Sequence, residues 1–206
     1  MIVIIDYEIG NVLSVKNALD RIGVRNIISR SDDDIKNAAG LILPGVGSAG
    51  VGMNNLKRFG IDRVVREEVA KGKPILGICL GMQLLMTQSE EGNVSCLNYI
   101  AGNVVRFKTK EKVPQIGWNT VFSKNDSILF EDIPQDSYFY FVHSYYSIPT
   151  DKDVIYGQTK YGNNFCSVIE KENIFGVQFH PEKSGQIGEK LLKNFITYSY
   201  ENNTSG

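Results

Sequence analysis

The sequence predicts one α/β domain, a mixed, mainly parallel sheet flanked by helices, and three observations predict it. Short β-branched runs alternate with amphipathic stretches through the first half of the chain. From about residue 98, strand-like runs follow one another with little helix between them, which favours antiparallel pairing. The length of 206 residues suits a single core, and no linker, repeat or low-complexity tract divides it. Residues 1–200 are expected to form the domain and 201–206 a frayed tail.

Each element has a local reason. Ile2 to Ile5 is an unbroken β-branched run, fitting a strand covered on both faces. Val12, Val15, Leu19 and Ile22 recur at helical spacing, and Gly23 ends that stripe. Val24 to Ser29 and Leu41 to Leu43 read as the next strands, the latter closed by Pro44-Gly45. Ile61, Val64, Val65 and Val69 mark another helix, stopped at Lys71-Gly72. Pro74 to Ile78 is a strand running into Cys79, and Leu80, Leu84 and Leu85 open a helix after it. Strands then follow at Val104 to Phe107, Tyr138 to His143, Val154 to Thr159, Phe165 to Ile169 and Ile174 to Phe179. A closing helix from Gln186 to Tyr198 sets Ile187, Leu191, Leu192 and Phe195 on one side.

Composition removes several functional classes. Twenty-two basic against 23 acidic residues give a net charge of −1, which is no electrostatic footprint for nucleic acid. No apolar run approaches the roughly 18 residues a membrane span needs. The N-terminus meets an acid at Asp6 without a basic leader, so it reads as a strand rather than a signal peptide. Cys79, Cys96 and Cys166 are an odd set with no CxxC, so neither a disulfide framework nor a structural zinc site follows. The expectation is a cytoplasmic protein with no metal or organic cofactor.

Three features carry candidate chemistry. Gly77-Ile78-Cys79-Leu80-Gly81 lies between a predicted strand and a predicted helix. A nucleophile on so sharp a turn needs tiny neighbours two residues either side, and a helix N-terminus favours the reactive thiolate. The competing explanation is a buried cysteine in a tight glycine turn. A thiol nucleophile needs a base, and the chain has two histidines. His180 ends a strand, precedes Pro181 and has Glu182 within reach of one ring nitrogen, so local chemistry favours it. His143 sits in an aromatic strand with no adjacent acid, as a hydrogen-bonded core histidine does. Third, Pro44-Gly45-Val46-Gly47-Ser48-Ala49-Gly50 follows a strand: it is a plain turn, an anion-binding loop that lacks the Gly-Lys-Ser/Thr of a P-loop, or, beside Cys79, a backbone donor for an oxyanion. The Leu80 N–H is the natural first donor of such a site, and Gly45 to Gly47 the source of a second.

Gly77 to Gln83 together with Gln178 to Glu182 resemble the class I (triad) glutamine amidotransferases. Within them the chain is most similar to the HisH-type glutaminases, through Asp6-Tyr7, Gly10-Asn11, Pro44 to Gly47, Val113 to Asn119, Phe141 to Tyr146 and His180 to Ser184. The resemblance implies Cys79 as nucleophile, His180 as base, Glu182 as its orienting acid, and Gly45, Val46, Gly47 and Leu80 around the oxyanion. It assigns glutamine binding to Gln83, Ser144 and Tyr145. It implies docking to a HisF-type (β/α)₈ cyclase, as a heterodimer, through Asn11, Trp118, Tyr140 and Lys183, with ammonia passed on for histidine biosynthesis. Glu8, Ala49 and Gln115 depart from the usual pattern, where glycine, phenylalanine and histidine are common. Those departures touch the partner-facing side. They keep open a paralogue serving another acceptor, such as a surface-sugar amidotransferase. A catalytically dead relative and a cysteine peptidase are further alternatives, opposed by the intact triad and by the compact pocket residues.

Overall fold

The computed structural model describes residues 1–202. In chain order the elements are β1 (Ile2–Ile5), α1 (Val12–Arg21), β2 (Asn26–Ser29), α2 (Asp32–Asn37), β3 (Gly40–Leu43), α3 (Ala49–Arg58), α4 (Ile61–Ala70) and β4 (Ile75–Ile78). Then come α5 (Leu80–Leu84), β5 (Met86–Ser89), β6 (Val94–Ser95), β7 (Ile100–Arg106), β8 (Gln115–Ser123), β9 (Ser137–His143) and β10 (Tyr145–Pro149). The chain closes with β11 (Ile155–Tyr161), β12 (Asn163–Lys171), β13 (Ile174–Val177), a 3₁₀ turn at Pro181–Lys183 and α6 (Gly185–Glu201).

The strands form one mixed sheet in the order β2-β1-β3-β4-β13-β12-β10-β7-β5-β6, with β11, β8 and β9 branching from β12. The run from β2 to β13 is parallel throughout. Beyond it nearly every pairing is antiparallel, β5 with β7 excepted. The parallel character therefore belongs to the five-strand centre rather than to the whole sheet.

Alternation along the central strands builds the two faces. Ile2 and Ile4 join Val15, Leu19, Leu191, Leu192 and Phe195 under α1 and α6. Val3 and Ile5 join Met53, Leu56, Val64 and Val65 under α3 and α4. Each such Leu or Ile removed from water contributes about 1.5–3 kcal/mol. That double burial is what the uninterrupted β-branched runs encode.

Several elements depart from the pattern reading. Helix α3 begins at the end of the expected glycine loop and runs through residues the pattern left unassigned, since Gly50 and Gly52 depress helix propensity. Gly52 earns its place by contact: a Cβ there would meet Leu84 Cδ1 at 3.1 Å. The six-residue α2 is too short to show a stripe and buries only Ile35. The helix after Cys79 stops at Leu84 and the chain turns into β5. In the expected tail, Glu201 ends α6 and Asn202 caps it, while 203–206 lie outside the described residues.

Candidate active site

Cys79 and His180 are distant in sequence, and the parallel pairing of β4 with β13 makes them neighbours. Ile78 is registered against Val177, so both strands end at the same edge, where an open α/β sheet places its sites. The Cys79 N–H donates to the Val177 carbonyl at 2.8 Å, continuing the ladder one residue beyond the strands. The turn that follows is sharp. Cys79 takes φ 53°, in the left-handed region that an L residue occupies at a cost. A Cβ on Gly77 would stand 2.6 Å from the Met82 nitrogen, and one on Gly81 would stand 1.8 Å from the Leu43 carbonyl oxygen. Both flanking glycines are thus demanded by close backbone approach, as the elbow reading expects.

The thiol is buried, with its Sγ 3.7 Å from the Val142 carbonyl oxygen and 3.6 Å from Gln178 Nε2. His180 is buried beside it, its Nδ1 2.8 Å from Glu182 Oε1. The other ring nitrogen, Nε2, makes no ordinary hydrogen bond and is left for the thiol. Burial works against a charge on this ring, but its interaction with Cys79 and then with the Glu182 carboxylate outweighs it, lifting the pKa to about 10. An imidazole held by a carboxylate on one nitrogen and open on the other is placed to accept a proton from the neighbouring thiol.

His143 is a different kind of histidine. It is buried, its Nδ1 is 2.8 Å from the Tyr145 carbonyl oxygen and its Nε2 is 3.0 Å from the Gln115 carboxamide. Burial, against the pull of the Tyr145 carbonyl and with repulsion from His180, lowers its pKa to about 4. A ring this reluctant to take a proton, with both nitrogens already engaged, is poorly suited to act as a base, although it lines the same cavity as Cys79 and is not a core residue alone.

A cavity of about 230 Å³ opens onto the thiol, lined by Val46, Gly47, Cys79, Gln83, Glu91 and Ser144-Tyr145 among others. The expected glutamine pocket residues therefore come together. Gln83 does so with its Nε2 committed twice, to the Tyr145 carbonyl and to Gln178 Oε1, both at 3.0 Å. Its own Oε1 is the atom left for a ligand. The Pro44–Gly47 loop also abuts the elbow, but the Leu80 N–H is not aimed at an open position. It donates to the Gly45 carbonyl at 3.3 Å, so the expected first oxyanion donor is engaged within the protein in this conformation.

Two residues at the site escaped sequence reasoning. Glu91 lines the cavity while one of its oxygens accepts the Ala49 N–H at 2.9 Å at the start of α3. In the sequence it is one of two adjacent acids before a glycine, indistinguishable from a solvated charge. Gln178 bridges Gln83 and Cys79, and its signal was present: it lies two residues before His180, in the same run.

The expected docking residues lie on this side of the molecule. Trp118 is 56% exposed and packs edge-on to its cross-strand partner Tyr140, ring centroids 5.9 Å apart. Tyr140 adjoins the triad through its carbonyl, which accepts the His180 N–H at 2.9 Å. Asn11 caps α1 by accepting the Ser14 N–H at 3.3 Å, and Lys183 ends the 3₁₀ turn packed against that helix. Among the described residues no cluster of His, Cys, Asp and Glu is arranged to hold a metal.

Comparison with known proteins agrees with this geometry. The family model of class-I glutamine amidotransferases matches residues 3–198. The chain is 45% identical over 201 residues to the imidazole glycerol phosphate synthase subunit HisH of Chlorobaculum tepidum, covering 96% of this chain and all 100% of that one. It is 49% identical over 199 residues to the HisH 2 subunit of Methanococcus maripaludis, covering 95% and 98%. Among solved structures, a glutamine amidotransferase crystal structure superposes with a TM-score of 0.77 at 18% identity, over 96% of this chain and 98% of that one. The structure of PurLQS from Thermotoga maritima gives 0.76 at 19%, over 96% and 97%. At such identities the two structures speak to the fold alone. A thiol elbow, an imidazole held by a carboxylate and near-full-length likeness at this level lead to one family: the chain belongs to the class I glutamine amidotransferases and, within them, to the HisH subunits of imidazole glycerol phosphate synthase.

Proposed function

We propose that the chain hydrolyses glutamine at Cys79 and hands the ammonia to a HisF-type (β/α)₈ cyclase, with which it forms a heterodimer in the cytoplasm. The observation that carries the chemistry is the His180 ring, held by Glu182 on one nitrogen and free toward a buried thiol on the other. His180 takes the Cys79 proton, and sulfur attacks the side-chain carbonyl carbon of glutamine, forming the S–C bond. The tetrahedral oxyanion collapses, the C–N bond breaks, and the imidazolium gives its proton to the departing ammonia. Water, deprotonated by the same ring, then cleaves the thioester and releases glutamate.

The cavity supports an amino-acid substrate. The free oxygen of Glu91 faces the α-ammonium, and Gln83 Oε1 with the Ser144-Tyr145 backbone completes the polar lining. Trp118, Tyr140, Asn11 and Lys183 form the docking face, where exposed Trp118 packs on half-buried Tyr140, whose carbonyl takes the His180 N–H. No helix among the described residues is long and apolar enough to cross a membrane, and the cytoplasmic placement rests on the biosynthetic reading.

The test is glutamate release by the purified chain, alone and with a HisF-type cyclase, with and without the cyclase's nucleotide ligand. A weak rate alone that rises strongly with cyclase and ligand supports the whole reading. A Cys79-dependent rate that the cyclase leaves unchanged keeps the glutaminase and removes this partner in favour of another acceptor subunit.

A further inference from the structure

The segment 6–11 packs directly on the Pro44–Gly47 loop. The Tyr7 hydroxyl donates to the Pro44 carbonyl. A Cβ on Gly10 would stand 3.2 Å from Gly45 Cα, and one on Gly47 would stand 3.9 Å from Ile9 Cγ2. The 44–47 loop in turn keeps its Gly45 carbonyl on the Leu80 N–H at 3.3 Å. That N–H is the donor an oxyanion at Cys79 needs, so the Gly45 carbonyl must withdraw before the site is complete. Segment 6–11 braces the piece of chain that has to move.

Glu8 fastens the brace. Its backbone sits at φ 60°, a left-handed conformation that glycine takes freely and glutamate does not. Its carboxylate holds Arg30 Nη1 at 3.2 Å through one oxygen and Arg58 Nη2 through the other. Arg30 also grips Asp6 at 2.6 Å, and both guanidinium groups lie on the Phe59 ring, 4.3 and 4.4 Å from its centroid. Arg30 follows β2 and Arg58 ends α3, so this exposed carboxylate ties segment 6–11 to elements on either side. A second strand of the tie runs from Asn55 of α3, whose Nδ2 donates to the Tyr7 carbonyl at 3.0 Å.

We propose that Glu8 is a positioning residue, an electrostatic latch with Arg30 and Arg58 that holds segment 6–11 against Pro44–Gly47, keeps the Leu80 N–H engaged and restrains glutamine hydrolysis. The proposal rests on Cys79 as nucleophile and the Leu80 N–H as oxyanion donor. The latch is exposed, so salt weakens it.

The experiment compares the full chain with its Glu8→Gly, Glu8→Gln and Arg58→Met variants. It reads glutamate release against glutamine concentration, thermal midpoint, and hydrogen exchange of the Gly45, Val46, Gly47 and Leu80 amides. Glu8→Gly is expected to raise kcat of the chain alone about fivefold with KM within about twofold, the scale of one or two exposed ion pairs. Exchange at those four amides rises with it, while the thermal midpoint holds, because glycine is at ease at this φ. Raising NaCl from about 0.05 M to about 0.5 M accelerates the unsubstituted chain and leaves Glu8→Gly unmoved. Arg58→Met and Glu8→Gln fall between. An unchanged or lowered kcat with unchanged amide exchange overturns the latch. A Cys79→Ser control separates the two readings: glutamate release that survives it overturns the nucleophile assignment, and the exchange arm alone then decides the latch.

Discussion

The Nε2 of His143 meets the side-chain carboxamide of Gln115 at 3.0 Å, and that pairing sets the direction of a proton. With the pKa lowered to about 4 by burial, the ring is neutral at pH 7. Its Nδ1–H donates to the Tyr145 carbonyl, so Nε2 is an acceptor. The structure sets Gln115 Oε1 against that nitrogen; an acceptor there calls for the –NH₂, so the carboxamide is expected to be turned about its axis in solution. The unfolded chain binds a proton near the ordinary value of 6.5 and the folded chain resists until about 4. Stability from this site is full above about pH 6.5 and falls as pH drops toward 4, by on the order of 3 kcal/mol in total. Urea denaturation at about pH 7.5, above that window, and about pH 4.5, near its lower edge, checks it: His143→Gln should show a smaller loss than the unsubstituted chain. Imidazole NMR should show the proton on Nδ1 throughout.

The elbow makes a contrasting pair of glycine predictions. Gly81→Ala puts a methyl 1.8 Å from the Leu43 carbonyl oxygen, where only backbone can yield. A loss of roughly 3 kcal/mol or failure to fold is expected, read as a large drop in thermal midpoint. Gly50→Ala in α3 meets nothing within 4 Å and should be neutral or gain up to about 1 kcal/mol from helix propensity. Equal effects at the two positions would falsify the close-approach argument.

Removing either half of the Cys79–His180 pair should silence hydrolysis without unfolding the chain. Cys79→Ser or Cys79→Ala should abolish glutamate release while ammonia-dependent synthesis by the complex persists, the acceptor chemistry being proposed to lie on the other subunit. His180→Asn should cost about 10²–10⁴ in kcat, the usual worth of a general base. His143→Asn should act chiefly on stability or glutamine binding; if it proves the more severe for thioester formation, the roles of the two rings are reversed.

Trp118 is 56% exposed, so shortening it should leave the thermal midpoint of the isolated chain almost unmoved. Trp118→Ala should nevertheless weaken cyclase binding about tenfold or more in a titration, as an aromatic anchor does. Unchanged affinity would remove Trp118 from the docking face.

What the sequence disclosed and what it hid divide along the range of the interactions. Gly77, Cys79 and Gly81 announce a strand-to-helix elbow because its steric demand falls within five residues of chain. His180 and Glu182 are two residues apart, so their hydrogen bond is equally local. Helix α3 was illegible because two glycines mask a stripe that only Leu84, across the fold, makes sensible. Glu91 gives no local sign of its role, since its cavity is assembled from Val46-Gly47 before it and Val142 to Tyr145 after it, both distant along the chain. The engagement of the Leu80 N–H by Gly45 was hidden for the same reason: which partner a backbone donor takes is decided by how two loops meet.

Strand β13 lies between β4 and β12, and without it the sheet order falls into two separate pieces. The imidazole is carried just past that keystone strand, near the end of the chain, whereas the thiol is laid down in the first half. A nascent or truncated chain that stops before residue 174 has a cysteine with no proton acceptor and an unjoined sheet. With Cys79 and His180 in their proposed roles, arming of the nucleophile is tied to completion of the fold: an unfinished copy cannot drain glutamine, because the step that closes the architecture is the step that delivers the base.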